Sequence, residues 1–213
     1  MAAYKESVLT RGNRSRKVNK DLELFSAKKT VDNKCKFSSL PGKSKQDRAR
    51  KSSDFGTQLN AKQAVRFYYG LKEKQFKAYV TQKSKKSHRD IVNKADVLLV
   101  LLETRLDNLV YRMGFATTRR QARQMVSHGH LLVNGKKVDI PSYEVKVGDE
   151  ISVSEHAQKH TSVISAKDVN DQTERFDWIK SDGDFKGVLA ARPDVAFLHQ
   201  QFDVNLIIEF YSK

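Results

Sequence analysis

The chain has 213 residues, a formal net charge of +15 and 38% hydrophobic residues, enough for one or two cored domains under much solvated surface. Its longest wholly aliphatic run, Val97 to Leu102, is far shorter than the roughly 18 residues of a membrane span. The N-terminus also lacks the apolar stretch of a secretory signal, so a cytosolic protein is expected. The charge is uneven: residues 1–102 carry 25 Lys and Arg against 9 Asp and Glu, whereas 103–213 carry 15 against 16. An excess confined to one half points to a polyanion partner and to binding that weakens with salt. An anionic membrane surface fits less well, because no basic cluster has a broad apolar helical face beside it.

Residues 1 to about 55 are rich in Lys, Arg, Ser, Asn and Gly, and irregular structure is expected there, with Leu22, Leu24 and Phe25 able to anchor one short helix. Pro41-Gly-Lys-Ser-Lys45 looks like the end of a phosphate-binding loop, but Phe37 stands where that motif needs glycine. Cys35 is the single cysteine, so an intrachain disulfide is excluded. His128 and His130 stand two apart without a suitably spaced third ligand, and no metal site is expected.

Asn60 with Gln63 suggests a helix start, carrying Lys62, Arg66, Phe67, Tyr68 and Tyr69 to a stop at Gly70. The next helix puts Phe76, Tyr79 and Val80 on one face and Lys72, Lys74, Lys77 and Lys83 on others. These aromatics suit a core, although Tyr68 or Tyr69 could instead stack on bases. After the basic linker 83–89, Asn93 or Asp96 can cap a helix whose stripe is Leu98, Leu101, Leu102, Leu109, Val110 and Met113, ending at Gly114.

Thr118 and Gln121 have capping-box spacing for a helix that buries Ala122, Met125 and Val126. Arg119, Arg120 and Arg123 fall within one arc of about 100° and could face phosphates from a helix start that already favours anions. Asn134-Gly135 between Leu131–Val133 and Lys136–Val138 is a strong hairpin signal, and Gly148-Asp149 turns into a strand at 150–153. Residues 154 to 175 suggest a polar helix or connector. Apolar content resumes at Phe176, Trp178, Ile179, Phe185, Val188 and Leu189, and the tail 206–211 is expected as a strand. Too short for its own core, this terminal segment should pack back on the helices of 55–100.

Residues 103–153, with Glu103-Thr-Arg-Leu-Asp-Asn108 and VYRMGFATTRRQARQMVSHGHLLVNGKKVDIPSYEVKVGDEI, resemble the S-four RNA-binding module. The flanks KQAVRFYYGLKEKQFKAYV at 62–80 and IIEFYSK at 207–213 resemble the bacterial-type ribosomal S-four family. The resemblance implies an α+β fold: a mainly helical N-terminal domain, completed by the C-terminal segment, with an inserted module of two helices on a small antiparallel sheet. The corresponding divisions are a basic extension at 1–55, a helical rRNA-binding domain at 56–102 plus 170–213, and the module at 103–165.

The resemblance also implies a primary binder of 16S-type small-subunit rRNA that nucleates assembly of the subunit body and contributes to decoding accuracy. Its neighbours would be small-subunit ribosomal proteins five and three and mRNA near the entry path, with no membrane, metal, cofactor or catalysis. RNA-facing positions carried by the module are Arg105, Arg119, Arg120, Arg123, His128, Asn134, Gly135 and Lys136. The basic segments add Lys45, Arg48, Arg50, Lys51, Lys62, Arg66, Tyr68 and Lys74. In this set Asn134-Gly135 chiefly sets the turn, and Asp107 caps or pairs locally.

Many relatives have Pro-Gly-Gln-His-Gly where this chain has 41–45, and some have a four-cysteine zinc site that Cys35 alone cannot form. This divergence leaves open a specialised paralogue, or a regulator binding mRNA leaders or the transcription machinery. An RNA-modifying or tRNA-charging enzyme with an appended module is the other alternative. The 60 residues after 153 and the lack of a nucleotide loop or acid–base constellation argue against it.

Overall fold

A computed structural model of the protein describes residues 8–25, 41, 53–83, 91, 93–170, 176–181 and 185–212. Helix α1 spans Val8–Val18, where irregular chain was expected. After it, Leu22 and Phe25 are buried without being helical. Helix α2, Asp54–Tyr68, starts well before Asn60 because Ser53 provides the cap: its hydroxyl accepts from the Gly56 amide at 3.2 Å. Gly70, at φ +62°, turns the chain out of it. Helix α3, Glu73–Ala78, runs into a π-helical turn at Tyr79–Lys83.

Asn93 caps α4, Lys94–Glu103, through the Ala95 amide, and the single helix expected from there to Gly114 is broken. Arg105 is extended, at φ −65° and ψ 138°, and α5 restarts at Leu106–Arg112. The break lets the 140s loop bind this backbone: Arg105 bridges to Glu144, and the Leu106 and Asp107 amides donate to Tyr143 and Pro141 carbonyls. Helix α6, Arg119–Ser127, is capped by Thr118, whose hydroxyl accepts from Gln121 N–H. The Gln121 side chain accepts from Thr117 N–H, one residue before the cap.

Strands β1 (Leu131–Val133), β2 (Lys136–Lys137), β3 (Glu150–Val153), β4 (Ile179–Ser181) and β5 (Lys186–Leu189) form one antiparallel sheet of order β2-β1-β3-β5-β4. Short helices α7, Glu155–Gln158, and α8, Thr161–Asn170, follow β3. Helix α9 spans Ala196–Gln201, and the tail is helix α10, Asn205–Ser212, not a strand. A short unbroken apolar run such as 206–208 does not distinguish the two by periodicity. As a helix it seats Ile207, fully buried, among residues of α2 and α4.

The chain is thus α+β, with its buried apolar side chains in two clusters. One holds Leu22, residues of α2 to α4, and Leu198, Phe202, Val204 and Ile207 from the C-terminal segment. The other holds α5, α6 and the sheet, including Trp178, Ile179 and Leu189. The 179–189 hairpin therefore extends the module's sheet by pairing β5 with β3, while α9 and α10 return to the first cluster.

Candidate nucleic-acid interface

The arginine arc at the start of α6 is corrected by the structure, which divides it. Arg119 is nearly buried, its guanidinium 3.7 Å from the Tyr68 ring centroid and 4.3 Å from that of Tyr111. It donates to Glu23 at 3.1 Å and to Asn108 at 3.0 Å. Arg120 is exposed, and Arg123 is half-buried, reaching the Gly70 carbonyl at 3.4 Å and Asp107 at 3.8 Å. The Tyr68 and Tyr111 rings beside the helix start hold Arg119 inward, which angular position alone does not disclose.

Three other proposed contact residues are interior. Arg105 is 2% exposed and forms a bidentate pair with Asp107 at 3.0 and 2.7 Å, with a further bond to the Tyr79 hydroxyl at 2.6 Å. Lys62 is buried, bonded to Glu73 at 2.8 Å, and its ammonium lies 4.6 Å from the Phe210 ring centroid. Tyr68 is buried and donates to Glu23, so it packs in the core; burial first raises its hydroxyl to a pKa of about 12. Each is held because a buried charge or hydroxyl needs a partner. Their free-chain role is to join elements, not to present a surface.

Around them runs a buried polar seam between the two apolar clusters. Glu103, fully buried, accepts two bonds from Arg112 at 3.0 Å and further bonds from Tyr69 at 2.6 Å and Asn108 at 2.8 Å. Burial alone would raise its pKa, but the Arg112 guanidinium, with Arg119 and the Tyr69 hydroxyl, more than offsets that and holds the carboxyl below the ordinary 4.5. Glu23 is held low in the same way, burial opposing and Arg119 then Arg112 prevailing. In the sequence Glu103 and Arg112 stand only as part of the module's motif and Glu23 carries no signal, because the partners of all three lie on other elements.

The exposed cations lie elsewhere. Asn134 and Gly135, at φ +50° and +75°, form the expected hairpin turn that leaves Lys136 and Lys137 exposed. The Asn134 side chain is engaged by the fold, donating to Asp149 at 2.8 Å and accepting from Glu150 N–H at 2.9 Å. Lys137 leans back over Gly129, where a Cβ would collide with its side chain. On the helical part Lys74 is exposed and Arg66 is partly covered, 3.5 Å from Glu73. Lys45, Arg48, Arg50, Lys51 and Cys35 lie outside the described residues.

His128, exposed, opens a row of four imidazoles that the sequence did not connect. Ring centroids are 5.8 Å apart for His128 and His130, 5.3 Å for His130 and His160, and 5.4 Å for His156 and His160. Strand register makes the row: Leu131 opposes Val153 and Ser154 N–H donates to the His130 carbonyl, so α7 begins beside His130. Burial first, then His160, His128, His156 and Lys137, hold the His130 imidazole below the usual histidine range.

Among the described residues no helix is long and apolar enough to cross a membrane, and no group of three or more His, Cys, Asp or Glu is arranged to hold a metal ion.

The S4 domain model matches residues 104–151, and the ribosomal protein S4/S9 N-terminal domain model matches residues 10–103. The chain is 45% identical over 201 residues to the small ribosomal subunit protein uS4 of Xylella fastidiosa (strain M23), covering 93% of this chain and 95% of that one. It is similar to the proteins of the same name from Coxiella burnetii (strain RSA 493 / Nine Mile phase I), 44% identical, and Xanthomonas oryzae pv. oryzae (strain PXO99A), 46% identical, with the same coverage. With both domain models matched in order, and such identity along nearly the whole length, the chain belongs to the uS4 family of small-subunit ribosomal proteins.

Proposed function

We propose that the protein is a structural constituent of the small ribosomal subunit that binds 16S-type rRNA, nucleates assembly of the subunit body and contributes to decoding accuracy. The observation that carries this reading is the near full-length likeness to small-subunit uS4 proteins. The exposed Arg120 and Lys136 and the half-buried Arg123 of the module support it. Arg120, Arg123, His128 and Lys136, set by the Asn134-Gly135 turn, are its RNA contacts, joined by Arg66 and Lys74 and by Lys45, Arg48, Arg50 and Lys51. Arg105, Arg119, Lys62 and Tyr68 act by holding that surface in place.

The functional division is the basic extension 1–55, the helical unit 56–102 with 170–213, and the module 103–165, with the 179–189 hairpin lent to the module's sheet. Partners are ribosomal proteins five and three of the subunit and mRNA near the entry path. The protein is ribosome-associated in the cytoplasm, without a catalytic role, and its affinity comes from phosphate contacts that fall away with salt.

Sedimentation of tagged protein at native abundance tests the reading. Comigration with small subunits is expected. Protein confined to the top of the gradient, with subunits below it, would overturn it. Crosslinking and RNA sequencing should then enrich one rRNA region, whereas a discrete transcript would mark an mRNA regulator.

A further inference from the structure

We propose that His128, His130, His156 and His160, together with Lys137, form a subsite for the phosphodiester backbone of RNA that takes up protons as it binds. It rests on the RNA-binding reading above and extends it to residues on α7 and its C-terminal side. The rings follow one another at 5.8, 5.3 and 5.4 Å, a row and not a shell about one centre. A row of cations matches successive phosphates along a strand better than it matches one ion.

Position favours the same ligand. His128 follows the helix that carries Arg120 and Arg123, and Lys137 adjoins Lys136 on the hairpin, so the row continues the proposed interface. Lys137 lies over Gly129, between His128 and His130 in the chain. From α7 and its end come His156, His160 and the exposed Lys159, with Glu155 the flanking carboxylate.

In the free chain burial, then three neighbouring imidazoles and an ammonium, disfavour the charged form of His130. A phosphate strand laid across the row reverses that balance. Each imidazole that gains a proton then becomes a charged donor to a phosphate oxygen, and binding and proton uptake are linked. Affinity should rise as pH falls, by about tenfold per pH unit for each proton taken up.

The test uses the full-length protein with a fragment of 16S-type small-subunit rRNA, the region that crosslinking enriches, at fixed ionic strength. Affinity is measured near pH 8 and near pH 6, and calorimetry in buffers of different ionisation enthalpy counts the protons. The expected result is a gain of at least about tenfold at the lower pH with roughly one or two protons taken up. The double variant H156Q/H160Q should lose part of both, and the quadruple variant H128Q/H130Q/H156Q/H160Q should lose nearly all.

Equal affinity at both pH values without proton uptake would overturn the proposal and leave RNA binding standing. An unchanged pH effect in the quadruple variant, with its circular dichroism intact, would do the same by assigning the protons to the RNA. A pH effect abolished by chelator would reassign the row to a metal ion. Failure to bind the fragment at either pH would sink both this proposal and the reading on which it rests.

Discussion

Arg119 and Arg120 are adjacent in the chain and opposite in physical role. Arg119 lies between two tyrosine rings and is bonded to Glu23 and Asn108, so truncation leaves a void and strips two polar partners. Arg119→Ala should cost about 3 kcal/mol, at the low end for a buried pair because Glu23 is partly exposed. Arg120→Ala should stay within about 0.5 kcal/mol of the parent protein, as surface substitutions do. Urea denaturation read by circular dichroism checks both. The reverse ranking should appear in RNA affinity measured well below the unfolding transition. Equal stability losses would mean that Arg119 is not the interior residue described. The sequence placed both on one arc correctly, but burial depends on what packs over the arc, here the Tyr68 ring from α2 and the segment carrying Glu23, distant in the chain.

At the scale of elements, what was legible had a local cause. The Asn134-Gly135 turn, the caps at Asn93 and Thr118, and the buried face of α6 at Ala122, Met125 and Val126 all follow from residues within one turn of each other. The break at Arg105 and the helical tail do not. The first exists because the 140s loop supplies acceptors for the Leu106 and Asp107 amides, the second because α2 offers a surface for Ile207. The histidine row likewise needs a pairing register to exist. Turn and row can be separated by two glycines. Gly135, at φ +75°, has open space around a new Cβ, whereas Gly129, at φ +69°, has Lys137 in the way. Gly135→Ala and Gly129→Ala should each cost about 1 to 2 kcal/mol from the left-handed backbone, since the lysine end can swing aside. Only Gly129→Ala should also alter the pH dependence of RNA binding, because it displaces the Lys137 ammonium. Thermal melts and binding at two pH values measure the two effects. A Gly135→Ala protein with the altered pH dependence would show that the hairpin as a whole, and not Lys137 over Gly129, governs the row.

For the molecule as a whole, the seam of Glu103, Arg112, Glu23 and Arg119 joins the two apolar clusters, which also meet directly where the Phe176 and Phe197 rings pack at 5.3 Å. Both carboxyls are held below the ordinary 4.5. A carboxyl lowered on folding contributes stability that is present above its unfolded pKa and is lost as pH falls through the folded one. The seam should therefore couple the clusters at neutral pH and release them in acid, below about pH 4.5. Trp178, the single tryptophan, is buried in the cluster of the sheet, while much of the helix lies with the other. Near pH 7, urea transitions followed by Trp178 fluorescence and by far-ultraviolet circular dichroism should coincide. Ile207→Ala, in the helical cluster, should move both by about 2 to 4 kcal/mol. Near pH 3.5 the two probes should separate, and Ile207→Ala should then move the dichroism transition while leaving the fluorescence transition in place. Glu103→Gln should bring that separation to neutral pH, since it removes the charge that Arg112 needs without emptying its volume. Coincident transitions in that variant at every pH would mean that apolar contact, and not the buried ion pairs, makes the two clusters unfold as one.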